Sequence, residues 1–143
     1  RQTYTWIIDS GCTSHLTHNI NILTSLVHVN TSVSSAKEDV DIMVKTMGKV
    51  VTDKCVLNNV LFSPEVCVNL ISVGSIVNNG GNVIFSKNGI KVLKNGETIF
   101  ERKRGENGLF TVNLKSVIQN SAFFVKKGEN DFLVFWNDQA ERD

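Results

Sequence analysis

Short apolar runs broken by polar and glycine-rich positions dominate this chain, and most alternate or end within a few residues, as half-buried strands do. Tyr4 to Ile8 reads as a strand, and Val27 to Val33 as another, interrupted by polar residues. Val40, Ile42 and Val44 fall on one face of a third, and Gly48 leads into Val50-Val51. Cys55 to Leu57 precedes Val60 to Phe62, which the sole proline, Pro64, closes. The pattern then changes period. Leu70, Val73 and Val77 share a helical face with Ile71 and Ile76 near its edges, which predicts a helix capped by Asn69 and stopped by Gly80-Gly81. After it come the pairs Asn88-Gly89, Asn95-Gly96 and Asn107-Gly108, each between apolar runs, a strong hairpin signal. Val83 to Phe85, Ile90 to Leu93, Thr98 to Phe100 and Leu109 to Leu114 are therefore expected to form a β-meander. Beyond Gln119 the signals weaken. Phe123 to Val125 and Phe132 to Trp136 are apolar enough for two further strands or a docked tail, and Asn137 to Asp143 reads as a loose polar end.

Composition narrows the function classes. A chain of 143 residues suits one domain with a sizeable core. A net charge of +1 gives no reason to invoke nucleic acid or acidic lipid. The basic run Arg102 to Arg104 is flanked by Glu101 and Glu106 and reads as a solvated turn. No apolar stretch approaches the roughly 20 residues that a membrane span needs, and there is no signal-peptide pattern. Opening on Arg1, the chain is expected to be a piece of something longer. Cys12, Cys55 and Cys67 are odd in number and form no CxxC pair, which fits a reducing compartment better than a disulfide framework. Cys12, His15 and His18 have metal-compatible spacing but lack a fourth ligand, so neither metal nor cofactor is expected. A Cys12/His15 nucleophilic dyad lacks an orienting third group.

The chemistry concentrates at Asp9-Ser10-Gly11, directly after the apolar run Trp6-Ile7-Ile8. A strand ending in Asp-Ser-Gly holds the carboxylate rigidly, and the glycine lets the next turn fold tightly against it. The intervening hydroxyl can bond back across the loop. The same tripeptide also occurs as an ordinary surface turn.

The wider pattern is more specific. Trp6 to Thr17, WIIDSGCTSHLT, resembles the W-x-x-DSGATSHMT opening of the protease in copia-type (Pseudoviridae-like) retrotransposon polyproteins. Leu57 to Glu65 is similar to that family's L-x-x-VLYVPEL, and Asn69 to Val73 with Gly81 to Phe85 to its NLLSV…G-x-x-V-x-F. Asn107 to Phe110 resembles the closing NGLY, so the order holds from Tyr4 to Leu114. There are departures. Cys12 replaces the usual alanine, Ser35 to Asp39 lacks the usual glycine, and Asn137 follows Trp136 where the integrase finger has its zinc-binding histidine.

The resemblance implies a mainly β, retropepsin-like closed barrel spanning residues 1–115, with one helix after Asn69 followed by the meander. Residues 116–143 would be an extension or linker toward integrase. It also implies a retroviral-type aspartic endopeptidase that cleaves a Gag-Pol polyprotein inside cytoplasmic virus-like particles. Aspartic proteolysis uses two carboxylates sharing a proton, and the chain holds a single Asp-Ser-Gly, so a homodimer is expected. Asp9 would pair with its mate to activate a water, Ser10 would brace the loop, Gly11 would admit substrate, and Cys12 would pack behind. A hairpin tipped by Ala36, Lys37, Glu38 and Asp39 is the candidate flap over an extended polyprotein peptide, and an ordinary exposed turn is its alternative. The helix after Asn69 is similar to the C-terminal helix of retroviral proteases. Asn69, Leu70, His15 and Thr17 match family positions and are expected to be structural. The alternative is a catalytically inactive binding or dimerisation module on the same fold, decayed or adopted by a host.

Overall fold

A computed structural model describes residues 2–34, 41–105 and 108–117 of the chain. The strands in order are β1 (Thr3–Asp9), β2 (Leu16–Thr17), β3 (Thr24–Ser34), β4 (Asp41–Val51), β5 (Val56–Phe62) and β6 (Asn69–Ser72). A short helix, α1 (Val73–Asn78), leads to β7 (Gly81–Ser86), β8 (Gly89–Lys94), β9 (Glu97–Lys103) and β10 (Thr111–Lys115). A single 3-10 turn, Ile20–Ile22, lies before β3. The chain is mainly β, as its periodicity predicts.

Seven strands form one sheet in the order β10-β1-β6-β2-β5-β4-β3, and β7-β8-β9 form a second. The expected closed barrel is corrected here. Among the described residues the large sheet has β10 and β3 at its ends, and a single bridge, Thr52 to Ser116, links the end of β4 to the end of β10. The Val117 N–H donates to the Val51 carbonyl and the Asp53 N–H to that of Lys115, both at 2.9 Å. Among the described residues the contact stops there, since β4 ends at Val51 and β10 at Lys115, and no ladder seals the sheet.

Sequence segments read as separate strands are continuous. Val40 to Val44 and Val50-Val51 were expected apart, yet β4 runs unbroken from Asp41 to Val51, and β5 joins Val56 to Val60. Gly48 permits this. A Cβ there would come 2.8 Å from the Thr24 carbonyl oxygen, and β3 carries register shifts at this crossing.

The helix begins later than its spacing suggests. Residues 69–72 pair in parallel with β1, from Trp6↔Asn69 to Asp9↔Ser72, so ladder hydrogen bonding overrides the helical period. Ser72, not Asn69, is the N-cap, its hydroxyl accepting from the Ser75 N–H at 3.0 Å. No residue of α1 is buried, and Val77 is 53% exposed.

The meander has three strands rather than four. Asn95 and Gly96 both have positive φ (54° and 80°), as a two-residue type I′ hairpin requires. Asn88-Gly89 works differently. The loop is Lys87-Asn88, and Gly89 opens β8, where a Cβ would collide with the Arg102 carbonyl. The fourth expected strand, β10, leaves the meander and pairs antiparallel with β1, because Val112 and Leu114 bury beside Trp6 and Tyr4.

One apolar core joins the two sheets. Trp6, Ile8, Leu23, Ile71 and Val112 pack in the same cluster as Ile90, Val92 and Phe100 from β8 and β9. The flap candidates Ala36, Lys37, Glu38 and Asp39 lie outside the described residues, as do Asn107, Phe123 to Val125, Phe132 to Trp136 and nearly all of the 116–143 extension.

Candidate functional site

β1 lies second from one edge of the large sheet, between β10 and β6, and carries Asp9 at its end. There the chain turns. The Gly11 N–H donates to Asp9 Oδ1 at 2.7 Å, a two-residue Asx turn that fixes the carboxylate. A Cβ on Gly11 would sit 3.2 Å from the same oxygen, so glycine keeps this approach open. Asp9 is half-buried, whereas Ser10 and Gly11 are exposed. Ser10 makes no hydrogen bond among the described residues, so the bracing expected of it is absent there.

The loop after the turn is anchored from β6. Ser72, the register partner of Asp9, uses three groups at once. Its N–H donates to His15 Nδ1 at 3.0 Å, its hydroxyl donates to the Cys12 carbonyl at 2.7 Å, and the same oxygen accepts from Ser75. The Ser75 hydroxyl adds a bond to the Thr13 carbonyl at 3.3 Å. A second buried pair lies one turn further on. The Thr17 hydroxyl donates to Asn69 Oδ1 at 2.6 Å and accepts from the Asn19 N–H, while Asn69 Nδ2 reaches the Thr5 carbonyl.

Electrostatics follow from burial. Desolvation lowers the His15 pKa to about 4, so at neutral pH the ring is uncharged and its Nδ1 is free to accept. Cys12 is raised to about 11, first by burial and then by the charge of Asp9. Its thiol donates to the Asp9 carbonyl at 3.6 Å. A protonated thiol and an imidazole whose Nδ1 is already engaged by Ser72 are the opposite of a nucleophilic dyad. Among the described residues no cluster of three His, Cys, Asp or Glu is placed to hold a metal, and no helix is long and apolar enough to cross a membrane.

Residues 6–81, just over half of the chain, match the family described as Pol polyprotein, beta-barrel domain. The chain belongs to that family. This membership makes it a component of a retroelement Gag-Pol polyprotein. No curated protein and no solved structure matches it. The matched segment of this Pol domain runs from Trp6 within β1 through β6 and α1, and holds the residues that bond to the Asp9 turn and its loop.

Sequence reading placed Asp9, Ser10 and Gly11 together, and the Pol domain presents them as one turn. It did not single out Ser72, the residue that ties that turn to β6. A signal existed, since Ser72 and Ser75 have N-cap spacing just before an apolar helical stretch. Asn69 and Thr17 were expected to be structural, but nothing local paired them across 52 residues.

Proposed function

We propose that this Pol domain is an aspartic endopeptidase of a copia-type retrotransposon, retropepsin-like in its chemistry and active as a homodimer. Asp9 from each copy would meet at the two-fold axis, one carboxylate ionised and one protonated. The pair would activate a water to attack the scissile carbonyl of a polyprotein peptide, with no covalent intermediate. The observation carrying this reading is the carboxylate at the end of β1, clamped by Gly11 and backed by Ser72. The β3–β4 hairpin, whose two strands are paired to Ser34↔Asp41, supports a flap position for Ala36 to Asp39. Gly11 would let the substrate backbone approach, and Ser10 is free to bond across the dimer. The site of action would be the cytoplasm, in virus-like particles, with neither nucleic acid nor membrane engaged by this domain.

The test is cleavage of Gag-Pol junction peptides from about pH 4 to 7 by wild type and Asp9→Asn over a range of protein concentrations. Pepstatin-sensitive cleavage that rises faster than linearly with concentration and is lost in Asp9→Asn supports the reading. A stable dimer with no cleavage at any concentration overturns it. One observation favours the second reading, a non-catalytic binding module: the pocket lined from β5, β6, β8 and β9 does not include Asp9.

A further inference from the structure

The segment between the Asp9 turn and β2, Cys12 to His15, is fixed to the large sheet from two sides. From β5, the Leu61 N–H donates to the His15 carbonyl at 2.9 Å. From β6, Ser72 donates its hydroxyl to the Cys12 carbonyl at 2.7 Å and its N–H to His15 Nδ1 at 3.0 Å. In the last of these the segment contributes a side chain, whereas in the others it contributes backbone carbonyls. β2 is two residues long and pairs with β6 at Leu16↔Leu70. Two residues further along β6, at Ser72, the imidazole supplies the acceptor that a longer β2 would have offered. His15 and Ser72 are both buried, so loss of that acceptor would leave the Ser72 N–H unpaired in the interior.

Ser72 is also the register partner of Asp9. A shift of its backbone therefore reaches Asp9 through the β1–β6 ladder, and reaches the Gly11 side of the turn through Cys12. We infer that His15 is a positioning residue for the Asp9 carboxylate, acting through Ser72. Its ring bonds to Ser72 and takes no part in the chemistry itself. A carboxylate pair must be held to within about 0.5 Å to share a proton and aim a water. A loosened turn thus slows the chemical step without changing how the peptide is gripped. The catalytic consequence rests on the protease reading, while the structural one stands on the bonds alone.

Two substitutions in the full chain separate this role from ring packing. His15→Leu removes the acceptor, and His15→Asn keeps an acceptor oxygen at the place of Nδ1. Cleavage of Gag-Pol junction peptides is measured per site titrated with pepstatin, which takes any loss of folded dimer out of the comparison. In His15→Leu kcat should fall at least about tenfold with KM within about twofold, and His15→Asn should restore most of the loss. Ser72→Ala keeps the N–H to His15 and loses the hydroxyl on Cys12, so it should lower kcat in the same way and serves if His15→Leu fails to fold. The Gly11 amide, bonded to Asp9 Oδ1, gives a readout that needs no cleavage. Its hydrogen exchange should be at least about fivefold faster in His15→Leu and Ser72→Ala than in the wild type and His15→Asn. Wild-type kcat per site in His15→Leu and Ser72→Ala, or His15→Asn as impaired as His15→Leu, overturns the positioning role. A wild type that cleaves nothing overturns the protease reading instead, and equal Gly11 exchange in the wild type, His15→Leu and Ser72→Ala then overturns the positioning role by itself.

Discussion

His15 accepts, through Nδ1, the backbone N–H of Ser72 at 3.0 Å, and this bond joins the loop after Asp9 to the strand that runs beside Asp9. The bond needs an unprotonated Nδ1. Protonation would remove the acceptor and place a charge in a buried site.

Stability should therefore fall in acid through His15. Its pKa drops from 6.5 to about 4 on folding, so between those values the unfolded chain binds the extra proton. The contribution is intact above about pH 6.5 and is lost progressively toward pH 4, by about 3 kcal/mol in all. Denaturant melts at pH 7, 5.5 and 4 should record this slope. His15→Gln should flatten it while lowering stability at pH 7.

Asp9 has a structural duty separable from its charge. Asn at this position retains the oxygen that accepts from Gly11, so Asp9→Asn should stay within about 0.5 kcal/mol of wild type. Asp9→Ala loses the Asx turn and should cost about 1 kcal/mol. Under the proposed mechanism both variants lose at least about 100-fold in peptide cleavage. Urea melts beside a cleavage assay separate the two duties.

The buried Thr17–Asn69 pair should be coupled. Thr17→Val strands the Asn69 carbonyl oxygen and the Asn19 N–H, and should cost about 1–3 kcal/mol. Asn69→Leu should cost a similar amount. The double variant should cost less than the sum of the two, since neither then leaves the other unpaired. A double-mutant cycle in urea measures the difference.

Two glycines of the meander should fail for different reasons. Gly96→Ala meets open space but must hold a φ of +80°, a penalty of about 1 kcal/mol. Gly89→Ala drives a methyl group into the Arg102 backbone and should cost more, about 1–3 kcal/mol, by separating β8 from β9. Amide exchange across the β8–β9 ladder should rise in Gly89→Ala and stay near wild type in Gly96→Ala.

Thiol reactivity should rank by environment. Cys67 is exposed, whereas Cys12 is half-buried and held protonated by burial and by Asp9. Iodoacetamide at pH 7.5, followed by peptide mass mapping, should modify Cys67 at least about tenfold faster than Cys12. Comparable rates would contradict the arrangement around the Asp9 turn.

Much of the architecture follows from local chemistry. The alternation of Val40, Ile42 and Val44 and the apolar runs in β1, β5 and β8 imply strands because a pleated, half-buried segment demands that spacing. Asn95-Gly96 adopts its hairpin because few other residue pairs tolerate two positive φ angles. The Asp-Ser-Gly turn is likewise self-contained, its clamp spanning two residues.

Tertiary structure decided what local patterns leave degenerate. Residues 69–72 satisfy a helical period and a strand equally, and only the neighbouring β1 ladder selected the strand and passed the helix cap to Ser72. Val112 and Leu114 alternate as any meander strand would, and β10 pairs with β1 because Trp6 offers them a buried face. Barrel closure depends on where β4 and β10 stop, which left the single Thr52–Ser116 bridge. The sequence by itself determined the strands, the turns and the Asp9 carboxylate, since each rests on contacts within a few residues. The pairing of β1 with β6 and β10 and the bonds from Ser72 to His15 and from Thr17 to Asn69 rest on residues more than 50 positions apart, brought together only by the fold.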